Sequence, residues 1–461
     1  MEFGLSTRPN QATDGLDLMT VTPRPFVRSE QENLAQEFFH VQTVTQWTEV
    51  FKSELWDRYV LQLSLIEPSL HHAKLAIGAM HRSLTTDKPT KEYEHFALIH
   101  YNKAISHIVR PLRLLSPIVV LIACWMFSCF EVMRGDNKTL GRHLTSGLQL
   151  ISLRTRKDDF EEMRQDYPPP DNAENQIIEE CFIQFSLLDL QLILYEPDWD
   201  PFSTAKCPKL ANSPSFSSFS EARLHLTALL LKVMELKRRE VRPYAENSLE
   251  IETISLERKN ALEKLDKWSA AFTSFLATAT RNLIKEQTRA VQLLQIQHLA
   301  GYIHLSVAAS DEATSYDKFL PGFQKIVSLC SALLMSSDKP STPKHPRPKK
   351  YLYEHGVIPS LYLVGYKCRD PIVRREAHGL LACIRRKEGV WESDLMAKVV
   401  EHIIAVEESD RVVCTSADIP NEARVWREHI HAGDSGKLPK VLFEIRGNGN
   451  EGVRLVEREL N

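Results

Sequence analysis

The sequence is poor in glycine, with 17 residues among 461, and no two of its cysteines have C-x2-C spacing. Scarce glycine together with 24 prolines favours helices interrupted by proline over a glycine-rich α/β sheet. Most of the eight cysteines lie inside apolar helical patterns, which predicts buried free thiols. The first fifteen residues, MEFGLSTRPNQATDG, contain no apolar stretch of the kind that a signal peptide requires. These absences indicate a reducing intracellular compartment.

The chain also lacks a large charge of either sign and a membrane-length apolar run. Its formal net charge is −3, so a nucleic-acid contact would need a local basic patch. The most apolar window is residues 117–133, PIVVLIACWMFSCFEVM, which stays apolar for about fourteen residues, whereas crossing a bilayer takes about twenty. With Pro117 in its first turn, this window predicts a fully buried helix in a soluble bundle and no membrane contact.

Apolar residues recur at helical spacing through most of the chain. This periodicity predicts an all-α fold, a multi-helix bundle or array of antiparallel helices. Residues 1–30 show no such periodicity, which predicts a disordered arm. The pattern over residues 31–461 predicts one helical domain, with sub-boundaries near 197–219 and 336–350. Near the end, helices are predicted at about 351–366, 371–387 and 391–408, and alternation at 441–445 and 453–456 predicts a small C-terminal β-hairpin.

Two glycine-containing stretches resemble known binding motifs. Residues 447–452, GNGNEG, fit G-x-G-x-x-G, but a dinucleotide site needs a helix after the last glycine, and the nine remaining residues alternate like a strand. A hairpin turn is the better interpretation. Ser435 lies in GDSGK, which resembles both a serine-protease nucleophile motif and the end of a phosphate-binding loop. A serine protease would need a β-barrel, and a phosphate-binding loop would need glycine in place of His431. We interpret this stretch as a surface loop.

The strongest indication of catalysis is the acidic run at 158–162, DDFEE. Asp158, Asp159 and Glu162 on one helix could hold Mg²⁺ against a diphosphate, as in all-α isoprenoid enzymes. The second metal motif of such enzymes is absent from the sequence, and neighbouring basic residues favour a solvated helix end. His71 and His72 are also poor metal ligands, because adjacent helical residues point about 100° apart. We therefore expect no catalytic, cofactor-binding or metal-binding residue and no enzyme activity.

One run of basic residues lies in a proline-rich stretch, which predicts that it is exposed to solvent. Lys344, Arg347, Lys349 and Lys350 lie in KHPRPKK, which predicts a nuclear-import signal or a phosphate-contacting patch. The alternative is a solvated loop between helices.

Several stretches, in this order, resemble the regulatory domain of fungal zinc-cluster transcription factors. The opening helices are matched by Leu55-Trp56-Asp57, Glu67-Pro68-Ser69-Leu70-His71-His72-Ala73 and Leu75-Ala76-Ile77-Gly78-Ala79-Met80-His81. The middle helices are matched by His100-Tyr101-Asn102-Lys103-Ala104-Ile105, the apolar window and His143-Leu144-Thr145-Ser146-Gly147-Leu148. The final helices are matched by Pro371-Ile372-Val373-Arg374-Arg375-Glu376-Ala377 and Glu388-Gly389-Val390-Trp391.

The zinc cluster itself is missing from this chain. In that family six amino-terminal cysteines hold two Zn²⁺ and place a short helix in the major groove. Here the first cysteine is Cys124, inside the apolar window, so the family's DNA-binding and zinc-binding residues carry over to no position. The resemblance implies a nuclear transcription regulator, typically of secondary metabolism, without autonomous DNA binding. It would sense an effector or recruit the transcription machinery or another transcription factor, as a homodimer or heterodimer. The alternatives are the Mg²⁺-dependent isoprenoid-type enzyme and a helical protein-interaction scaffold.

Overall fold

The computed structural model describes residues 29–86, 91–110, 115–155, 172–195, 199, 214–241, 248–279, 284–308, 312–337, 350–353, 356–409, 411–431, 439–446 and 452–460. Most of these residues are helical, and two small sheets lie in the C-terminal third of the chain. The predicted all-α architecture with a small C-terminal β element is confirmed.

The α-helices are numbered here in chain order. They are α1 (Glu30–Phe38), α2 (Thr45–Trp47), α3 (Val60–Leu63), α4 (Pro68–Thr85), α5 (Lys91–Val109), α6 (Pro117–Arg134), α7 (Asn137–Thr155), α8 (Asn172–Tyr195), α9 (Phe219–Val241), α10 (Ser248–Ala279), α11 (Lys285–Ser306), α12 (Leu320–Ser337), α13 (Ile358–Lys367), α14 (Pro371–Cys383) and α15 (Ser393–Glu407).

Helix α6 is the predicted buried helix, and its ends follow the sequence signals. The Ser116 hydroxyl accepts the Ile118 amide, Pro117 begins the helix, and Gly135 ends it with a left-handed φ of 76°. The helix packs against α4, α7 and α8. By length and composition it could cross a membrane, but 83% of it is buried inside the protein. The helix therefore forms the centre of the bundle.

Aromatic rings join α6 to segments from distant parts of the chain. The Trp125 ring lies 6.1 Å from the ring of Trp56, 5.4 Å from Phe185 and 4.5 Å from Tyr353, measured between centroids. Offset and edge-on contacts of this kind stabilise a core beyond the area they bury. The amino-terminal segment, α8 and the start of the C-terminal third thus share one core.

The two sheets include strands that the periodicity did not predict. The first contains β1 (Lys350–Leu352), β2 (Arg386–Glu388) and β3 (Trp391–Glu392); β1 pairs parallel with β2, and β2 antiparallel with β3. The three helices predicted at about 351–366, 371–387 and 391–408 are therefore shorter than expected, because one end of each predicted range forms a strand. These strands have only two or three residues, too few to show an alternating pattern.

The second sheet contains the predicted hairpin, β5 (Lys440–Arg446) and β6 (Val453–Glu459). An additional strand, β4 (Val425–His431), pairs antiparallel with β5. Val441, Phe443 and Ile445 of β5 point into the core and are almost completely buried. The hairpin prediction is confirmed, and the element is one strand larger than expected.

A buried ion triad fixes the sheet to the helices. Glu407, at the end of α15, accepts from Arg369 at 2.6 Å, from Arg374 at 2.8 Å and from the Val425 amide at 2.7 Å. Neither arginine side chain nor the glutamate side chain is exposed to solvent. Burial disfavours the glutamate charge, but the two arginines outweigh burial and lower the pKa of Glu407. The triad thereby joins the α13–α14 turn, α15 and the first residue of β4.

Candidate functional site

A cavity of about 110 Å³ lies where helices of the bundle meet the C-terminal elements. Helices α8, α9, α11 and α13 supply most of its wall, and β3 and β4 complete it. The apolar part of the wall comprises Leu190, Leu194, Leu230, Met234, Ala300, Gly301, Pro359 and Leu363. The polar part comprises Gln297, His304, Ser360, Tyr362, Tyr366, Lys367, Trp391 and Glu428. An apolar cavity with a few converging polar groups is the usual form of a small-molecule site.

Lys367 is the last residue of α13 and is 8% exposed. Its ammonium donates to the carbonyl oxygen of Trp426 at 3.1 Å and lies 3.6 Å from the centroid of the Tyr366 ring. A cation is favourable at a helix C-terminus and over an aromatic face. Burial nevertheless lowers the pKa of Lys367 to about 7, and repulsion from Arg369 adds to this effect. The amine therefore loses its proton more easily than an ordinary lysine does.

Glu428 lies on β4 in the same wall. One of its carboxylate oxygens accepts from the Tyr362 hydroxyl at 2.9 Å. Burial raises the pKa of Glu428, while the nearby Lys367 acts in the opposite direction. The cavity thus contains two groups of opposite charge, and burial disfavours the charged form of each.

Two further side chains complete the polar part of the wall. Trp391 is 3% exposed, and among the described residues its indole Nε1 has no hydrogen-bond partner. Its ring is held edge-on to Tyr195, with centroids 5.4 Å apart. Burial lowers the pKa of His304 well below its usual value, and the nearby Lys237 and Lys367 lower it further. His304 is therefore a neutral imidazole.

The local sequence explains how these groups come together. Pro359 lies in the first turn of α13 and Lys367 ends the helix. Tyr362 and Tyr366, four residues apart, lie on one side of the helix, and Lys367 follows directly after Tyr366. Gly301 lets α11 approach α9, because a Cβ at this position would lie 2.2 Å from a methyl carbon of Leu230. The buried ion triad holds the neighbouring turn against β4.

Of the site residues considered in the sequence, Lys350 alone belongs to the described part of the chain. Lys344, Arg347 and Lys349 are outside the described residues, as are Asp158, Asp159, Glu162 and Ser435. Lys350 begins β1, is half-buried, and its amide donates to the carbonyl oxygen of Arg385 at 3.3 Å. Lys350 does not line the cavity, and the sequence analysis identified none of the cavity residues as site residues.

Of the two histidines considered as metal ligands, His72 is hydrogen-bonded to another histidine. Its Nδ1 lies 3.0 Å from Nδ1 of His100, and burial lowers the pKa of His72 and of His100 to about 4. Within the described ranges, no three His, Cys, Asp or Glu side chains are arranged to hold a metal ion.

The described cysteines do not fit the family's zinc cluster either. Cys124 and Cys129 lie inside α6, and Cys181 inside α8. Burial raises the thiol pKa of all three, whereas zinc binds thiolates.

Taken together, the helices, the two small sheets and the cavity define a mainly helical domain. The chain belongs to the family described as the fungal specific transcription factor domain, whose model matches residues 34–403. It is similar to the aspercryptin biosynthesis cluster-specific transcription regulator of Emericella nidulans, with 23% identity over an alignment of 521 residues that covers 93% of this chain and 82% of that protein. No solved structure matches the chain.

The resemblance to the regulatory domain of this family is therefore confirmed. Membership supports a role in transcription regulation rather than catalysis.

Proposed function

We propose that this chain is a regulator of secondary-metabolism genes whose helical domain responds to a small molecule bound in the cavity. The observation that carries this proposal is the pair Lys367 and Glu428 in the wall of a buried cavity that is partly apolar. Taking two ionisable groups out of water costs more than packing apolar side chains there, so stability alone does not explain them. Ionisable groups with shifted pKa values in an apolar cavity are typical of binding sites.

The position of the cavity supports a regulatory role. Its wall combines helices of the bundle with β4, whose sheet lies at the C-terminal end of the described chain. A ligand that contacts both would favour conformations in which the sheet is docked on the bundle. Binding could then change the surface that the domain presents to other proteins.

We further propose that the chain acts through a DNA-bound partner in the nucleus. Membership of the fungal specific transcription factor domain family supports the nuclear part of this proposal. The partner would be the transcription machinery or another transcription factor, contacted as a homodimer or heterodimer. The basic run with Lys344, Arg347, Lys349 and Lys350 would supply the nuclear-import signal.

A tethering experiment tests the cavity directly. The full chain is fused to a heterologous DNA-binding domain, and reporter transcription is measured in a filamentous fungus. We expect Lys367→Met, which removes the ammonium but keeps the side-chain length, to reduce reporter output to that of the DNA-binding domain alone. Gly301→Ala should have the same effect, because it pushes the end of Leu230 from its present position.

The matched control is Lys325→Met, at an exposed position of α12. Reporter output and protein level should equal those of the wild type. Wild-type output from both Lys367→Met and Gly301→Ala, at equal protein levels, would refute a role for the cavity.

A further inference from the structure

We propose that the cavity binds a short aliphatic carboxylic acid as its carboxylate, with the head group hydrogen-bonded by Lys367 and the indole N–H of Trp391. This inference rests on the proposed function of the cavity and adds the chemical class of its ligand.

The first argument is an excess of hydrogen-bond donors in the wall. An ammonium has three N–H donors, and Lys367 uses one of them on the carbonyl oxygen of Trp426. The indole N–H of Trp391 is buried and unpartnered among the described residues. The hydroxyls of Tyr362 and Tyr366 already donate to Glu428 and to Trp426. A ligand that fits this wall must bring acceptors, and a carboxylate brings only acceptors.

The second argument is the charge around Lys367. Its ammonium is repelled by Arg369 and Lys237, and it also repels a proton on His304. Of the two attracting carboxylates, Glu407 is engaged by Arg369 and Arg374. The other, Glu428, is pushed by burial towards its neutral form. An anionic ligand would supply the negative counter-charge that the protonated form of Lys367 lacks.

The third argument is size and surface. A cavity of 150 Å³ lined by apolar side chains accommodates about one benzene molecule. On the same scale the present 110 Å³ fits about four or five non-hydrogen atoms, the two carboxylate oxygens included. Leu190, Leu230, Met234 and Leu363 offer an apolar surface for the short hydrocarbon part. The ligand class is thus a linear acid of about two or three carbon atoms.

Binding should be linked to proton uptake. The groups that face Lys367 are Arg369, Lys237, His304, Glu407 and Glu428. With a pKa of about 7, the amine is mostly neutral at pH 8. A carboxylate stabilises the protonated amine. Binding at pH 8 should therefore be accompanied by the uptake of nearly one proton by Lys367.

Isothermal titration of the full chain with sodium propanoate is the test. Runs at pH 8 in two buffers of different ionisation enthalpy measure the proton uptake. The matched probes are 1-propanol, which lacks the charge, and 1-propylamine, which reverses it. We expect the acid to bind at least about tenfold more tightly than the alcohol, as for a hydrogen bond to a charged group, and the amine not to bind. From acetate to propanoate, affinity should rise about fourfold for the added methylene, and longer acids should gain nothing more.

Three variants locate the site. Lys367→Met should weaken binding of the acid at least about tenfold and abolish the proton uptake. Trp391→Phe keeps the ring but removes the N–H, and should weaken binding about fivefold. Lys325→Met should bind as the wild type does, and circular dichroism should show that all three variants are folded.

Equal affinity for acid and alcohol, unchanged binding by Lys367→Met, or no binding of any acid in the series would each overturn this inference. These outcomes are distinguishable from failure of the proposed function. If Lys367→Met loses reporter output but no acid binds, the ligand class is wrong and the sensing role stands. If the acid binds as expected but reporter output is unaffected, the sensing role is wrong.

Discussion

Replacing Glu407 with glutamine removes one negative charge from the buried ion triad and changes almost nothing in volume. The carboxylate accepts from Arg369, from Arg374 and from the amide of Val425, the first residue of β4. In the variant, both guanidinium groups stay buried without their shared counter-charge. An uncompensated buried charge is far more costly than a lost surface contact, because no water replaces the missing partner.

We expect Glu407→Gln to lower the free energy of unfolding by about 3–5 kcal/mol, the range for breaking a buried ion pair by removing one partner. The neighbouring Glu408 provides the control. It pairs with Arg375, whose side chain is half-exposed, and with the buried Arg374, and its own side chain is partly exposed, so Glu408→Gln should cost less, about 1–2 kcal/mol. The two substitutions are chemically identical and adjacent in sequence. Their difference therefore compares a fully buried carboxylate with a partly exposed one that shares Arg374.

Urea unfolding followed by far-UV circular dichroism measures both variants. At pH 7 the midpoint of Glu407→Gln should lie well below that of Glu408→Gln. The arginines lower the folded-state pKa of Glu407, so its contribution is complete above the unfolded-state pKa and is lost as pH falls through the folded value. The gap between wild type and Glu407→Gln should accordingly narrow below about pH 4. Equal loss of stability in both variants at pH 7 would refute the reasoning.

Three further predictions concern packing, metal and DNA. Gly78→Ala would place a Cβ 2.2 Å from the carbonyl oxygen of Ala35 in α1, so it should destabilise the chain by about 1–3 kcal/mol in urea unfolding. Gly379→Ala in α14 meets nothing within 4 Å and should instead stabilise it by about 0.5–1 kcal/mol. Elemental analysis of the purified chain should find no zinc, and a stoichiometric content would contradict this. Duplex DNA should bind weakly and lose affinity steeply with salt, and tight sequence-specific binding would contradict a partner-dependent mechanism.

The bundle was largely predictable because its signals are local. Helix α6 is bounded by a capping serine, a first-turn proline and a terminal glycine, and its composition alone requires burial. The hairpin of β5 and β6 is equally local, since its two alternating runs are joined by a glycine-rich turn. Strand β4 was missed because its sequence, VWREHIH, is mostly polar and half-buried, and only pairing with β5 makes it a strand.

The cavity could not be predicted from the sequence. Its wall is drawn from residues between Leu190 and Glu428, and no two of its elements are joined by a short motif. Lys367 ends an apolar helix, where a lysine is ordinarily explained by the helix dipole. Only the tertiary placement of β4 and β3 against α13 shows that this buried lysine shares a cavity with a glutamate and an unpartnered indole.

The reactivity of the buried cysteine thiols can be used to measure unfolding of the protein. Among the described cysteines, Cys383 and Cys414 are exposed, and the buried ones are Cys124, Cys129, Cys181, Cys330 and Cys368. A thiol-specific chromogenic reagent should modify the exposed pair at once and the buried set only when the core opens. The slow phase therefore gives the rate or free energy of opening without an attached probe, and a bound ligand that tightens the bundle should retard it.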